Sequence, residues 1–392
     1  MKVLLVSRSL KVGGIERALV EQVNYMVNQN IKVDLLLFAK NGAYLDDVDN
    51  RVRIIGNLPL FKYISLTQTE ARKQGWFAYL LRSIFAALVK VIHFPLFWRV
   101  SKCILNQVGD YDFAISYVHN GNLNSLYCGC NEYVLDKVKA KKKIAWIHSD
   151  YLFGKISNHY NDSMYKRFDA VVNVSHSMKD KFDSLCIVPK EKSFIVYNRF
   201  SQQTIVYKAN QDRITLSSDC FNIVTVGRLE KEKGVDKLFH VALELAHMGI
   251  RFRWIFIGTG ILKQWCSDFV VKHKLESFII LLGQIPNPYP YVKAADLYVS
   301  GSLSETFGLS ILEALVLGTA TLAYKFDAIY EVLTDNNGCV VSTFEEMVDK
   351  LAAIISSPKQ FSVLQSKAGM LTDYNQLSNN QLFNLFKSLN NY

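Results

Sequence analysis

The stretch SETFGLSILEALVLG, residues 304–318, places Glu305 and Glu313 eight positions apart, at the mouth and on the body of one predicted helix. At ~1.5 Å rise per residue, such spacing separates helical backbones by up to ~12 Å, too far for one metal ion or one shared proton. The two carboxylates therefore suit different parts of one elongated ligand. Leu312 and Ala314 to Leu317 make the helix apolar nearly all round, which predicts burial, and a buried ionised Glu313 needs partners. Glu305 also reads as an N-terminal acid that complements the helix dipole. The entry at Phe307, Gly308 and Leu309 offers unpaired N–H groups to phosphate or sugar hydroxyls, and Gly308 allows close approach.

Upstream, FNIVTVGRLEKEKGVDKLFHVALEL, residues 221–245, runs from a β-branched and aromatic strand into Gly227, then a turn flanked by Arg228 and Lys233, then an amphipathic helix from about Val235. Free N–H donors and the positive dipole end face one space there, and phosphate oxygens are its natural occupant. Arg228 engages two oxygens at once and Lys233 adds a mobile point charge, a combination suited to a diphosphate. The simpler reading pairs both cations with Glu230 and Glu232 on the surface. The edge position after Gly227 favours function for Arg228, whereas Lys231 and Lys237 are assigned to the surface.

Together, VGRLEKEKG and the E-x7-E segment, about 75 positions apart, resemble the retaining GT-B glycosyltransferases of the E-x7-E group, a family 4-like, bacterial surface-polysaccharide type that takes sugars from nucleotide diphosphates. The resemblance covers most of the chain, because KVGGIERALVEQV (residues 11–23) follows the first strand and AWIHSD (residues 145–150) a middle one. It implies that Glu313 holds the nucleotide ribose, that Glu305 contacts the transferred sugar near the reacting carbon, and that His148 touches the donor sugar. Catalysis would then rest on Glu305, His148, Arg228 and Lys233. Donor binding would add Gly14, Gly227, Phe307, Gly308, Leu309 and Glu313, and the acceptor would meet Gly13 and Asp150, the latter alternatively orienting the His148 imidazole. The family often has glycine after its first glutamate, where this chain has Thr306.

The implied reaction is transfer of a sugar from a UDP-linked donor to a glycan or lipid-linked oligosaccharide with retained anomeric configuration. The departing phosphate would assist deprotonation of the acceptor. Breaking the anomeric bond leaves negative charge on the diphosphate, which Arg228, Lys233 and the helix N-termini stabilise. No metal and no cofactor are therefore expected, and Asp47-Val48-Asp49 reads as a solvated acidic loop. Gly13 and Gly14 precede a helix starting near Ile15, yet they form no full G-x-G-x-x-G and no clear acidic ribose partner follows. That counts against a nicotinamide-dependent oxidoreductase. A non-catalytic nucleotide-sugar-binding protein is the alternative from a different class.

The chain has 392 residues, half of them hydrophobic, and a net charge of +10. Length predicts two domains, and charge an anionic partner: nucleotide phosphates, an anionic membrane surface or nucleic acid. Nucleic acid is set aside, since no arginine-rich helix, zinc-ligand spacing or aromatic RNA-binding signature is present. Seven unpatterned cysteines and an amino terminus that reads as a buried strand predict a cytoplasmic protein, with a peripheral place on the inner face of the membrane as the option that the segment at about 70–105 opens. Strand-like runs alternate with helical patterns at Val3 to Val6, Val33 to Phe38, Val52 to Ile55, Phe113 to Ser116, Lys143 to Ile147, Ala170 to Val174 and Phe194 to Val196. They resume at Ile223 to Val226, Arg253 to Ile257, Phe278 to Leu281, Leu297 to Val299 and Thr321 to Ala323. The fold class is α/β, with two Rossmann-like domains that carry parallel sheets and face each other across the ligand. The expected domains are 1–199, with a basic and aromatic helical segment at about 70–105, and 200–374. A polar lapse at residues 201–219 marks their junction. By resemblance, a helix at 375–392 returns to the first domain.

Gly75 to Val100 is hydrophobic but interrupted by Arg82 and Lys90, short of the usual ~18-residue uncharged span, so a transmembrane helix is not expected. Pro95 should break it. Its aromatic mass, fringed by Arg72, Lys73, Arg82, Lys90, Arg99 and Lys102, reads either as core packing or as an interfacial element on an anionic bilayer. The lysine run at 137–143 reads as a solvated face or as an addition to that surface.

Overall fold

The computed structural model describes residues 1–56, 58–152, 154 and 156–390. The chain forms two compact units, Met1–Phe200 with Tyr374–Tyr392, and Ser201–Asp373. In the first, β1 (Lys2–Ser7), β2 (Lys32–Leu37), β3 (Arg53–Gly56), β4 (Val108–Ser116), β5 (Val138–Ile147), β6 (Ala170–Asn173) and β7 (Ser193–Ile195) make a parallel sheet ordered β3-β2-β1-β4-β5-β6-β7. Val3 and Leu5 enter one apolar cluster and Leu4 and Val6 another, the two-residue period of a strand covered on both faces.

The last helix, Tyr374–Asn390, closes the first of those clusters with Leu382, Leu385, Phe386 and Leu389. Hydrogen bonds fix it there. The Tyr197 N–H donates to Gln381 Oε1 at 2.9 Å, and the Asn375 amide donates to the Phe200 carbonyl at 2.8 Å. The Arg199 guanidinium lies 3.7 Å from the Tyr25 ring centroid.

The lysine run 137–143 is in part a solvated face, with Lys139 and Lys141 exposed. It opens β5, where Lys141 meets Asp112 at 2.7 Å, Lys139 meets Asp110 at 3.3 Å and Lys143 Nζ donates to the Leu135 carbonyl at 2.7 Å. Aspartates of the neighbouring strand pair with two of its lysines.

The second unit holds β8 (Phe221–Val226), β9 (Phe252–Ile257), β10 (Ile279–Gly283), β11 (Leu297–Ser300), β12 (Ala320–Tyr324) and β13 (Cys339–Val341) in the parallel order β10-β9-β8-β11-β12-β13. β13 escapes the sequence reading, being only three residues long. So does the helix Gln202–Ala209 inside the polar segment, which Ser201 caps and which buries only Ile205 and Ala209. Strand order reverses between β1 and β4 and again between β8 and β11. Crevices at such reversals are where α/β sheets bind ligands.

As Pro95 predicts, the span Trp76–Ser101 is interrupted: His93 leaves the helical backbone (φ 60°, ψ 156°) two residues before the proline, and a second helical segment follows. The charges at Arg82 and Lys90 do not disqualify a crossing: by length and composition alone, Trp76–Ile104 is the one stretch among the described residues able to span a membrane. Part of it is packed inward. Phe85, Val89, Phe94, Phe97 and Trp98 belong to the unit's core.

Candidate functional site

At the reversal of the second sheet, β8 passes through Gly227 into the turn carrying Arg228 to Lys233, and β11 leads through Gly301 and Ser302 to Glu305. Because β8 and β11 are neighbours, their loops touch. The Leu303 N–H donates to the Glu232 carbonyl at 2.9 Å, and a Cβ on Gly234 would stand 2.0 Å from the Gly301 carbonyl oxygen. Gly234 (φ 61°) caps the helix Val235–His247, and Gly308 (φ 78°) caps the helix Leu309–Val316. Both adopt the left-handed backbone that favours glycine, and neither cap brings a side chain to the first-turn N–H groups.

This contact joins two residues that sequence assigned to different ends of a ligand. Lys233 Nζ lies 2.6 Å from Glu305 Oε1, and Ser302 Oγ donates to the same oxygen at 2.9 Å. The paired side chains are only 20% and 18% exposed, so water screens them weakly. Glu313, half-buried on its helix, accepts from the Tyr289 hydroxyl at 3.0 Å. Tyr298, fully buried nearby, has its phenol pushed up by burial and then by the charges of Glu305 and Glu313, against a Ser310 hydrogen bond. A small cavity borders Gly227, Arg228, Lys233, Tyr298, Gly301 and Ser302. Phe307 is buried, and with Leu309 it flanks the Gly308 cap.

Arg228 departs from expectation. Its backbone sits at the strand edge, but its guanidinium bonds Glu230 and lies 3.6 Å from Glu232. The simpler reading describes its present partners. Exposed pairs of this kind contribute under about 1 kcal/mol, so a doubly charged ligand exchanges them readily.

In the first unit, Gly13 is extended (φ −178°) and precedes the helix Gly14–Asn28, again without a side-chain cap. The room it leaves is taken within the chain: a Cβ on Gly13 would lie 2.2 Å from Glu16 Oε2. Burial raises the Glu16 carboxyl, against its own backbone hydrogen bond and the charges of Arg8 and Lys11.

His148, just past β5, is 4% exposed, and neither ring nitrogen has a partner in hydrogen-bonding geometry. Burial, then the neighbouring His119, push it down to about 3, against a weaker influence of the Tyr117 backbone. The expectation that Asp150 orients this imidazole is corrected. Its carboxylate bonds Lys181 and accepts the Leu152 N–H at 3.0 Å, because the chain has already turned towards the helix His176–Ser184.

Sequence reasoning missed His119. It follows β4 at the reversal of the first sheet, is 5% exposed, keeps an unpartnered Nδ1, and is pushed down to about 4 by burial. Both imidazoles are therefore neutral at pH 7 and suited to hydrogen-bonding hydroxyls. Next to it, the Asn120 amide donates to Glu132 Oε1 at 2.7 Å. Nothing in a lone histidine's sequence marks it out; only strand order does.

Glu132 gives a pH prediction. Burial raises it from 4.5 to about 7. Its contribution is full below pH 4.5 and is lost as pH rises through about 7, a decline of about 3 kcal/mol at ~1.4 kcal/mol per pH unit. His119 and His148 act oppositely, stabilising above pH 6.5 and less as pH falls towards 4. Urea unfolding of wild type and Glu132→Gln at pH 5 and pH 7.5 cancels the histidine part. The gap between the two proteins should shift in the variant's favour at the higher pH, and a constant gap would refute it.

Residues 208–369 match the family model for glycosyl transferases group 1. The matched region lies wholly in the second unit. The chain is 25% identical over 232 residues to the alpha-monoglucosyldiacylglycerol synthase of Acholeplasma laidlawii, a match covering 56% of this chain and 57% of the relative. It is 27% identical over 213 residues to the N-acetylgalactosamine-N,N'-diacetylbacillosaminyl-diphospho-undecaprenol 4-alpha-N-acetylgalactosaminyltransferase of Campylobacter jejuni, covering 54% and 53%. The chain thus spans little more than half the length of these curated relatives. Among solved structures, S. aureus TarM in complex with UDP gives a TM-score of 0.68 at 14% identity, covering 98% of this chain and 99% of that one. HepE of Anabaena with UDP-glucose gives 0.66 at 16%, with the same coverage. The fold is that of the GT-B glycosyltransferases, two parallel α/β sheets, and the family model with these relatives supports membership of glycosyltransferase group 1.

Proposed function

We propose that this chain transfers a hexosyl group from a nucleotide diphosphate, with uridine as the base, to a hydroxyl of a glycan or lipid-linked acceptor, with retention and without a metal ion. The observation that carries it is the Lys233–Glu305 contact, 2.6 Å long, at the β8/β11 reversal between two glycine-capped helix starts. A diphosphate meets there an ammonium, the Arg228 guanidinium and two sets of first-turn N–H groups. Such fixed positive charge stabilises a leaving diphosphate. When phosphate takes Lys233, Glu305 is released to a sugar hydroxyl beside the breaking anomeric bond, while Glu313 takes the ribose hydroxyls. His148, neutral and unpartnered, is assigned to the transferred sugar. The ligands named for HepE and TarM support the choice of uridine, and the names of the two relatives support lipid and lipid-diphosphate acceptors.

Transfer of labelled sugar from UDP-linked donors to a polyprenyl-diphosphate oligosaccharide, in the presence of EDTA, tests the reading. Tight UDP binding with neither transfer nor slow donor hydrolysis would leave a binding protein instead. Glu313→Ala should weaken donor binding by calorimetry by about 10- to 100-fold, the loss of one or two charge-assisted hydrogen bonds of ~1.5–3 kcal/mol. An unchanged donor Kd removes Glu313 from the ribose.

A further inference from the structure

Along the first segment of the helix Trp76–Ser101, most of the exposed side chains are apolar. Trp76 is 76% exposed, Phe77 53%, Leu80 46%, Ile84 43%, Leu88 42% and Val91 77%. At 3.6 residues per turn these six fall within an arc of about 120°. The opposite arc carries Ala78, Phe85 and Val89, which are buried. Beyond the kink the division continues, with Leu96 and Val100 outside and Phe94, Phe97 and Trp98 inside. Trp98 is further tied down by its Nε1–H, which donates to Asp136 at 2.9 Å.

A continuous apolar strip of this size on a folded protein marks a docking surface. Its charge setting selects the occupant. Between Glu70 and Asp110 the sequence has six cations and no acidic residue, and Lys73, Lys90 and Arg99 are exposed. The Tyr79 hydroxyl is held by Arg72 at 3.2 Å and by Gln68 at 3.3 Å, which orders the basic edge next to Trp76. An apolar strip rimmed by cations alone fits the boundary between acyl chains and anionic headgroups.

We infer that this helix docks the chain on an anionic lipid bilayer by lying in the interface plane. It does not span: leaving the protein would expose Phe85, Val89, Phe94, Phe97 and Trp98, which form the core of the first unit. The buried arc anchors the helix to the protein while the outer arc enters the lipid. This surface adds a partner to the transfer reaction and requires no sugar chemistry.

Flotation of the full chain with phosphatidylglycerol or phosphatidylcholine vesicles, without donor or acceptor, tests it. Co-flotation should occur with the anionic vesicles and fall with added salt. The exposed changes Leu80→Gln and Ile84→Gln should together lower vesicle affinity about 100-fold while melting stays near wild type. Lys73→Glu with Lys90→Glu should abolish the preference for anionic lipid. Tryptophan emission should shift to the blue on binding, and not in Trp76→Phe. Absence of binding to either lipid overturns the inference, as does binding that all these variants leave intact. A dimer in sedimentation that Leu80→Gln with Ile84→Gln dissolves, without lipid binding, overturns it too and assigns the strip to a second copy. Failure of sugar transfer leaves it standing.

Discussion

Lys233→Ala is expected to lower the rate of sugar transfer by about 10²–10³-fold, the range for removing one preorganised group from developing negative charge. Lys233 is the enclosed cation of the site, 20% exposed, whereas the Arg228 guanidinium is 58% exposed and already shared by two glutamates. The loss should fall mainly on kcat, because charge on the diphosphate grows as the anomeric bond breaks. A second effect follows from the 2.6 Å contact. Truncation strands the Glu305 carboxylate at 18% exposure with only Ser302 as donor, costing about 1–3 kcal/mol of stability. Adding Glu305→Gln should recover part of that stability and none of the activity, and this sign difference is the check. If the double variant regained transfer, or Lys233→Ala alone kept full kcat, the lysine would be a structural partner of Glu305 and not a stabiliser of the leaving group.

Gly234→Ala should have the largest effect on stability. Two costs combine: the left-handed backbone at φ 61°, and a Cβ 2.0 Å from the Gly301 carbonyl oxygen, which is backbone and cannot turn aside. Together they should exceed about 3 kcal/mol, a fall in Tm of roughly 6–12 °C for a unit of this size. Gly318→Ala is the matched control. Its φ is 71° with nothing within 4 Å, so only the conformational cost of about 1 kcal/mol applies. Calorimetric melting of the two variants separates collision from conformation, and equal falls would show that the β8 and β11 loops are not in contact at Gly234. Because that contact also brings Lys233 to Glu305, Gly234→Ala should lose donor affinity where Gly318→Ala does not.

The parts legible in sequence are those that local physics writes into one segment. The strand-to-helix passages at Gly227 and at residues 304–309 could be read from period and glycine placement. Their meeting could not. Lys233 and Glu305 are 72 positions apart, and only the adjacency of β8 and β11 joins them. Strand order likewise placed His119 near His148 and turned Asp150 away to Lys181, against expectation. Short or polar elements such as β13 and Gln202–Ala209 carry too few apolar residues to show a period. The partners of the lysine run at 137–143 were hidden for a related reason: Asp110 and Asp112 come from the neighbouring strand and do not appear beside it in the chain.

The helix that ends the described chain has a bearing on biogenesis. Leu382, Leu385, Phe386 and Leu389 complete an apolar layer whose other members precede residue 197. A nascent chain leaving the ribosome makes its first sheet early and covers part of this face with the helix Gly14–Asn28, yet the part that Leu382 to Leu389 cover stays wet until residues 374–390 have been translated, after the whole second unit. The unit begun first is thus finished last, and a chaperone that shields apolar surface during translation would find its work at β4, where Phe386 comes to lie 4.5 Å from the Phe113 ring.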